Sequence, residues 1–279
     1  MNIIELKNVS YQYPLDSEAI IKNVDLTIEQ AKVYGLIGNN QAGKTTLCNI
    51  MRGFIPEMFL GKLSGSVTYK SKAIQEYNIG TLAAEIGYSS QNPFTQISGV
   101  KDTVEEEIAY GMENIGISPA TMKQKVQELI ALFKLEALKE KNPFELSGGQ
   151  KQRVALASIV ALDPDVVILD EPTSQLDPQS TEEVFEIIAM LKKQGKTIIV
   201  VEHKVDLLAE YCDEIILLEK GQLVKKGSAH QVLSDPEILK HGGALPQVSL
   251  FYLKHLKRNT SVPITMEEAI KKLKGGAFQ

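Results

Sequence analysis

Gly38-Asn39-Asn40-Gln41-Ala42-Gly43-Lys44-Thr45 decides the fold of this chain, because it matches the P-loop pattern of Gly, four free positions and Gly-Lys-Thr. Such a loop turns tightly and points backbone N–H groups inward, so it can hold phosphate oxygens together with the N-terminus of the following helix. Lys44 would reach the outer phosphates, and Thr45 would offer its hydroxyl to Mg²⁺. The stretch therefore predicts a nucleotide-binding site.

The residues around the loop favour this interpretation over a chance glycine turn. Residues 32–37 are predicted as a buried strand that runs straight into the loop, and residues 46–51, beginning with Thr46, are predicted as the helix that follows it. Cys48 lies in this helix, and Cys212 lies far away in the sequence. The two cysteines lack a metal-like spacing, which indicates buried free thiols in a reducing cytoplasm.

The composition allows one large domain and argues against a nucleic-acid partner. The chain has 279 residues, 43% of them hydrophobic, and a formal net charge of −5, and most of its basic residues are lysines. Residues 1–7 alternate as a strand rather than forming a signal peptide, and no apolar run reaches the ~18 residues of a membrane span. If this protein serves a membrane, we expect it to do so from the cytoplasmic face.

Strand signals dominate the first part of the chain, and helix signals dominate the middle. Residues 3–9, 24–29, 66–69 and 85–88 are predicted as strands. From Thr103, which begins a capping box, the pattern is helical to about residue 144. We predict an α/β fold: a P-loop NTPase core with a mixed sheet, an N-terminal antiparallel β part, an inserted helical subdomain and a small C-terminal helical extension.

Two tyrosines follow the first predicted strand. Tyr11 and Tyr13 lie in a turn-rich segment, where we expect both to be exposed. An aromatic face can stack on adenine, whereas the simpler alternative is packing at an edge strand. The residues alone leave both interpretations open.

Two adjacent carboxylates end a continuous apolar run at residues 166–169, which is typical of a central parallel strand. In a P-loop protein, Asp170 is best assigned to Mg²⁺ and Glu171 to the water that attacks the γ-phosphate. The alternative is an acidic pair solvated at the end of the strand. A second buried strand, at residues 197–201, ends in Glu202-His203, so His203 is either a ligand-binding residue or an ordinary surface histidine.

Two further segments are predicted to start helices. In Leu146-Ser147-Gly148-Gly149-Gln150, a serine and two glycines can form a cap and a turn or a second anion-binding nest, and the residues favour neither. Ser174-Gln175-Leu176-Asp177 leads into a helix in which Asp177 is the N-cap. Near the C-terminus, two apolar stripes should bury against the core or a partner. The first consists of Val248, Phe251, Tyr252 and Leu256, and the second consists of Ala269, Ile270 and Leu273.

Together these motifs, in this order, resemble the ATP-binding cassette (ABC) ATPases over about residues 2–230. The resemblance implies that residues 38–45 are the Walker A loop, Gln91 is the glutamine-loop residue that contacts Mg²⁺, and Asp170 and Glu171 are the Walker B pair. It also implies that 146–150 is the signature, 174–177 the D-loop, His203 the switch histidine, and Tyr13 rather than Tyr11 the adenine-stacking aromatic. ATP would be held by Lys44 and its loop in one chain and covered by the signature of a second chain in a head-to-tail dimer.

At Gln41-Ala42 the sequence departs from the usual P-loop of this family. The two positions contribute mainly backbone N–H groups, so nucleotide binding should survive, but Ala42 tolerates a positive φ less well than glycine does.

A narrower resemblance lies in three segments, namely 91–97, 103–111 and 147–153. These segments are similar to the ATPase subunits of energy-coupling factor (ECF) transporters, which import vitamins and transition-metal ions. That family implies a second ATPase subunit, identical or homologous, a transmembrane coupling subunit that docks beside Gln91, and a small substrate-capturing membrane subunit. It also implies a peripheral location on the cytoplasmic face of the cell membrane.

We expect an ABC ATPase domain at residues 1–227, with its helical subdomain at about 97–146, and an extension at 228–279. The leading hypothesis is a transport ATPase that uses ATP and Mg²⁺. Two alternatives are a soluble ABC ATPase that acts on ribosomes or nucleic acid and a nucleotide-gated dimerisation subunit that does not hydrolyse ATP. The first class typically carries a second cassette or a long coiled-coil insertion, and this sequence shows neither. The second would have lost Glu171, His203 or part of the signature, and this sequence has all of them.

Overall fold

The computed structural model describes residues 1–92, 95–255 and 261–274. The strands, in chain order, are β1 (Asn2–Gln12), β2 (Ile21–Glu29), β3 (Val33–Ile37), β4 (Lys62–Tyr69), β5 (Lys72–Ala73), β6 (Ile86–Ser89), β7 (Val166–Asp170), β8 (Thr197–Val201), β9 (Glu214–Glu219) and β10 (Gln222–Ser228). The helices are α1 (Lys44–Met51), α2 (Phe54–Glu57), α3 (Ile79–Glu85), α4 (Val104–Asn114), α5 (Pro119–Leu132), α6 (Gly148–Ala161), α7 (Pro178–Lys193), α8 (Val205–Tyr211), α9 (Ala229–Leu233), α10 (Gln247–His255) and α11 (Met266–Lys274). Short 3₁₀ turns cover Ile74–Glu76, Glu136–Leu138, Pro143–Glu145 and Pro236–His241.

The described residues form two compact units. Unit 1 is drawn from Met1–Tyr77 and Val201–Gln279, and unit 2 is drawn from Asn78–Val200. The P-loop therefore belongs to unit 1, whereas Asp170, Glu171 and the segment at residues 146–150 belong to unit 2. The fold is α/β, as predicted, and the N-terminal β part, the mixed sheet and the C-terminal helices are all present.

Unit 1 contains an antiparallel sheet with the strand order β2-β1-β4-β5. Leu6 on β1 is paired with Leu26 on one side and Val67 on the other, and all three side chains are buried. The unit also contains β3, which is parallel to β9, and β10, which is antiparallel to β9. Every residue of β3 is buried, because a strand covered on both faces has no solvent side. This strand delivers the chain directly into the P-loop.

Unit 2 places β7 between β6 and β8 and adds the helices from α3 to α7. β6 and β7 are parallel, with Ile86 opposite Val166 and Ser89 opposite Leu169. The predicted capping box at Thr103 is confirmed, because its hydroxyl accepts the Glu106 N–H while the Glu106 carboxylate accepts the Thr103 N–H. The parallel register brings the carboxyl ends of β6 and β7 to one edge of the sheet.

The first predicted C-terminal stripe, on α10, is only partly buried within this chain. On α10 the buried side chains are Ser249 and Tyr252, whereas Phe251 is exposed. The reason is that the Ser249 hydroxyl donates to the Pro263 carbonyl, so the polar side of this helix faces the chain that follows it. Leu256, the last member of the predicted stripe, lies outside the described residues.

The second predicted stripe, on α11, is not buried within this chain. Ile270 and Leu273 are exposed, and α11 buries none of its residues. Cys48 and Cys212 are buried free thiols, as the sequence predicted. Within the described ranges, every helix is too short or too polar to cross a lipid bilayer.

Candidate active site

The P-loop closes on its own backbone through Lys44. The Lys44 side chain is buried, and its Nζ donates to the carbonyls of Gly38 at 2.9 Å and Asn39 at 3.0 Å. The Ala42 N–H also donates to the Asn39 carbonyl, at 3.1 Å. α1 begins at Lys44, two residues earlier than predicted, with Gly43 as an N-cap that supplies no side chain. The first turn of α1 holds no acidic residue, so its N-terminus is suited to an anion.

Three positions in the loop, Gly38, Gln41 and Gly43, have a positive φ, and Gly43 is the N-cap of α1 with φ 98°. Gly38 has φ 145°, and a Cβ there would lie 2.1 Å from the Leu218 carbonyl oxygen, so only glycine fits. Gln41 has φ 64°, a conformation in which a residue with a Cβ is strained. The strain expected at Ala42 therefore falls on Gln41 instead, and Ala42 is buried with a negative φ.

The two tyrosines have different environments. The expectation that both are exposed is wrong for Tyr11, because its ring is fully buried and its hydroxyl donates to the Leu60 carbonyl at 2.8 Å. Tyr13 is partly exposed, and its hydroxyl is 3.2 Å from the Thr46 hydroxyl on α1. The rings of Tyr11 and Tyr13 pack edge to face, 4.8 Å apart. Burial excludes Tyr11 as a stacking platform, whereas Tyr13 is held beside the P-loop helix.

The P-loop is supported by the end of unit 1. The Gly221 N–H, in the turn between β9 and β10, donates to the Ala42 carbonyl at 2.9 Å. The chain after β10 also reaches the loop, because a Cβ at Gly242 would lie 2.2 Å from the Asn39 Nδ2 atom. His241 Nδ1 is 2.8 Å from Glu219 Oε2 at the end of β9. The C-terminal extension thus contacts the phosphate loop itself, which no local sequence signal indicated.

His203 lies just beyond β8, and its side chain is exposed. The buried Glu202 carboxylate accepts the N–H groups of His203 at 2.7 Å and Lys204 at 3.2 Å, and these bonds hold the turn. Sequence reasoning gave Glu202 no role. The signal that could have found it is a charged residue directly after a continuous apolar strand.

In unit 2, the predicted carboxylates are held by residues on and after β6. The Gln91 Nε2 atom donates to Glu171 Oε2 at 2.8 Å, so the glutamine and the second carboxylate form a pair. Asp170 is buried, and its Oδ2 accepts from the Tyr88 hydroxyl at 3.1 Å. Glu171 has φ 51°, a turn that brings the chain out of β7. Sequence reasoning missed Tyr88, because the pairing of two distant strands creates this contact.

The segment Leu146-Ser147-Gly148-Gly149-Gln150 forms a reciprocal helix cap. The Ser147 hydroxyl accepts the Gln150 N–H, and the Gln150 amide oxygen accepts the Ser147 N–H at 3.0 Å. α6 therefore starts at Gly148, within the segment predicted to start a helix. The buried Lys151, another residue that sequence reasoning missed, donates from its Nζ to the carbonyls of Phe144 and Leu146, both at 2.8 Å.

The D-loop segment lies against this cap. Asp177 is the N-cap of α7, as predicted, and its carboxylate accepts the N–H and the hydroxyl of Ser180 at 2.9 and 2.7 Å. These two bonds hold the Asp177 pKa below its usual value. A Cβ at Gly149 would lie 2.3 Å from the Ser180 hydroxyl oxygen, and a Cβ at Gly148 would lie 3.8 Å from the Gln175 carbonyl oxygen. Ser174 and Gln175 are exposed, and Leu176 is half-buried.

The residues that the sequence assigned to Mg²⁺ lie in different units. Gln91 and Asp170 belong to unit 2, and Thr45 belongs to unit 1. A carboxylate, an amide oxygen and a hydroxyl are oxygen donors of the kind that Mg²⁺ uses together with substrate phosphates and waters. In the part of the chain that the structure describes, no group of three or more His, Cys, Asp or Glu residues could hold a metal.

Comparisons with known proteins identify the family of this chain. The family model described as ABC transporter matches residues 21–174. A relative from Enterococcus faecium, described as energy-coupling factor transporter ATP-binding protein EcfA, is 38% identical and aligns over 88% of this chain and 86% of its own.

Two solved structures share the fold. One is cbiO1 from Clostridium perfringens, described as part of the ABC transporter complex cbiONQ; its TM-score is 0.76 at 28% identity, and the alignment covers 86% of this chain and 93% of that chain. The other is described as a dimeric, post-hydrolysis state of an ATP-binding cassette bound to ADP and Pi. It aligns with a TM-score of 0.70 at 25% identity, over 81% of this chain and 99% of that chain.

The chain belongs to the ABC transporter family. It is an ATP-binding cassette of the P-loop class, and it is an ATPase.

Proposed function

We propose that this chain is the ATP-hydrolysing subunit of an importer of the energy-coupling factor type. The relative named EcfA and the structure of cbiO1 support this assignment, as do the glutamine-loop and signature segments quoted above. The observation that carries the proposal is the 2.8 Å hydrogen bond between Gln91 and Glu171. It joins Gln91, beside which the membrane partner is expected to dock, to the carboxylate expected to activate water.

In this proposal the residues of the P-loop bind the nucleotide. Gly38 to Thr46 wrap the phosphates with backbone N–H groups, Lys44 neutralises the β- and γ-phosphates, and Tyr13 stacks on adenine. Thr45, Gln91 and Asp170 hold Mg²⁺. The metal supplies positive charge at the phosphate oxygens, where negative charge develops during transfer.

The hydrolytic step itself belongs to Glu171 and His203. The Glu171 carboxylate accepts a proton from the attacking water as the water oxygen bonds to the γ-phosphorus, and the bond from that phosphorus to the β,γ-bridging oxygen breaks. Gln91 orients the Glu171 carboxylate through its amide N–H, which donates to Oε2. His203 donates a hydrogen bond to the γ-phosphate from its exposed position after β8.

The signature at 146–150 and the D-loop at 174–177 act across a dimer. We propose a head-to-tail arrangement with a second ATPase subunit, identical or homologous, in which the signature of each chain covers the ATP held by the other. The solved structure described as a dimeric ATP-binding cassette supports a dimer. A transmembrane coupling subunit would dock beside Gln91, and a small membrane subunit would capture the substrate. This places the chain at the cytoplasmic face of the membrane as a peripheral subunit.

Replacing Glu171 by glutamine tests the hydrolytic assignment. The amide has the same shape but does not accept the proton, so we expect Glu171→Gln to lower the ATP turnover rate by ~100-fold or more while ATP binding is retained. Glu182→Gln is the matched control, because Glu182 is an exposed carboxylate on α7. A turnover rate of Glu171→Gln within about twofold of the wild type would exclude a general base of the usual strength.

A pull-down tests the transport assignment. Tagged protein expressed in its native cell and recovered from detergent-solubilised membranes should bring with it a transmembrane subunit. Recovery of ribosomes or nucleic acid instead would overturn the importer and support the soluble alternative.

A further inference from the structure

Two polar side chains lie deep in unit 2, where apolar groups would be the simpler choice. Ser89, the last residue of β6, is 0% exposed, and Gln152, on α6, is 1% exposed. The Gln152 Nε2 atom donates to the Ser89 hydroxyl at 3.2 Å. A buried polar pair contributes little net stability over an apolar pair of the same shape, so its presence calls for another reason.

The pair is continuous with the glutamine loop. The Ser89 hydroxyl donates to the Gln96 amide oxygen at 3.2 Å, and Gln91, which contacts Glu171, is only two residues from Ser89. The far end of the loop is also anchored, because the buried Glu107 carboxylate on α4 accepts the N–H and the hydroxyl of Ser98, both at 2.7 Å. Residues 93 and 94, between these anchors, lie outside the described residues.

The other member of the pair leads to the signature. Gln152 is four residues after Gly148, so the two lie on the same face of α6, one helical turn apart. The hydrogen bond between Gln152 and Ser89 therefore ties the signature helix to the strand that ends two residues before Gln91. While this bond is intact, a displacement of Gln91 also moves α6.

We propose that Ser89 and Gln152 are positioning residues that couple the glutamine loop to the signature helix during the ATPase cycle. When Gln91 and Glu171 respond to nucleotide, the bond makes the N-terminus of α6 move with them, so the signature meets the partner's ATP in the geometry that hydrolysis needs. This inference rests on the roles proposed above for Gln91 and the signature. Neither Ser89 nor Gln152 touches the reacting atoms, and both act through their neighbours.

The test separates coupling from stability with a double variant. Ser89→Ala with Gln152→Met removes both polar groups while it keeps the approximate shape, so the unfolding temperature should stay within a few degrees of the wild type. The single variant Ser89→Ala leaves the Gln152 amide without its acceptor and should be the less stable of the two. If the role of the pair is merely structural, the double variant should recover both the stability and the activity that Ser89→Ala loses.

Coupling predicts a different result for the double variant. We expect kcat for ATP to fall roughly five- to tenfold, with KM within about twofold, as for the loss of one positioning hydrogen bond in the transition state. Ser158→Ala is the matched control, because Ser158 lies on the same helix. Among the described residues, its hydroxyl donates to the carbonyls of Val154 and Glu107. This variant should keep the wild-type kcat. A stable double variant with kcat within twofold of the wild type would overturn the proposal.

Hydrogen exchange measures the coupling directly. With the non-hydrolysable analogue AMP-PNP and Mg²⁺, the wild type should gain protection both at residues 90–98 and at the start of α6, whereas the double variant should gain it at 90–98 only. Protection of both segments in the double variant would overturn the inference and leave the proposed function standing. If the wild type shows protection in neither segment, the proposed roles of Gln91 and the signature fail, and the inference fails with them.

Discussion

Gly149→Ala should destabilise the chain by a defined packing clash between α6 and α7. A Cβ at residue 149 would lie 2.8 Å from the Ser180 Cβ and 2.3 Å from its hydroxyl oxygen, whereas ordinary van der Waals contact begins at 3.4 Å. The helices must therefore separate by about 0.6 Å to relieve the contact with the Ser180 Cβ. The closer hydroxyl must also turn away from residue 149, and it then loses its hydrogen bond to Asp177.

The magnitude follows from three contributions. Overpacking of this kind costs about 1–3 kcal/mol, and loss of the bond between Ser180 and Asp177 costs about 1 kcal/mol more. Alanine is favoured over glycine in a helix by up to about 1 kcal/mol, which offsets part of the cost. We expect a net loss of about 2 kcal/mol, or a fall in the unfolding temperature of roughly 4–8 °C.

Thermal or urea unfolding of four variants measures this effect. Gly148→Ala is the matched control, because a Cβ there would be 3.8 Å from its nearest neighbour, and its unfolding temperature should not fall. In a Ser180→Gly background, which removes both clashing atoms, Gly149→Ala should cost nothing further. The packing argument is refuted if Gly149→Ala is as stable as Gly148→Ala, or if its cost is unchanged in the Ser180→Gly background.

Three further predictions concern stability. Gln41→Gly should raise the free energy of unfolding by about 1 kcal/mol, because glycine adopts the φ of 64° without strain. The ATP affinity, measured by calorimetry, should be retained. A lower free energy of unfolding would contradict the backbone argument. Lys151→Met should cost about 2–3 kcal/mol in urea unfolding, because the carbonyls of Phe144 and Leu146 lose their buried charged donor, and a cost below about 0.5 kcal/mol would show that water replaces it. Asp177 should stabilise α7 fully above its unfolded-state pKa and lose that contribution as the pH falls through its lower folded-state pKa. Melting curves should therefore show a smaller acid-induced loss for Asp177→Asn than for the wild type, and equal losses would contradict the assignment.

Features with local causes could be predicted from the sequence. The N-caps at Thr103 and Asp177 are hydrogen bonds between neighbours in the chain. The buried strands at 166–169 and 197–201 are continuous apolar runs, a pattern that predicts such strands. The P-loop was predictable for the same reason, since its function depends on one short stretch of backbone.

Features that depend on distant pairs could not be predicted. The contacts of Tyr88 with Asp170 and of Gln152 with Ser89 depend on which strand or helix lies next to which, and a single sequence does not encode that in any local pattern. The stripe on α10 is buried only in part within this chain, for a different reason. Helical spacing groups Phe251 with Tyr252, but it does not say which side of the helix the rest of the chain will cover, and the hydrogen bond from Ser249 to Pro263 decides that.

The contact between Gly242 and Asn39 changes where the chain can be cut. Sequence patterns favour a boundary at residue 227, but a fragment ending there would lack the turn that packs against the second residue of the P-loop. Ile264 is also buried, so the chain well past that turn still packs into the fold. A shortened chain made for crystallisation, or a fusion protein joined at this end, should therefore keep the sequence through at least Ile264 if it is to report the nucleotide affinity of the whole.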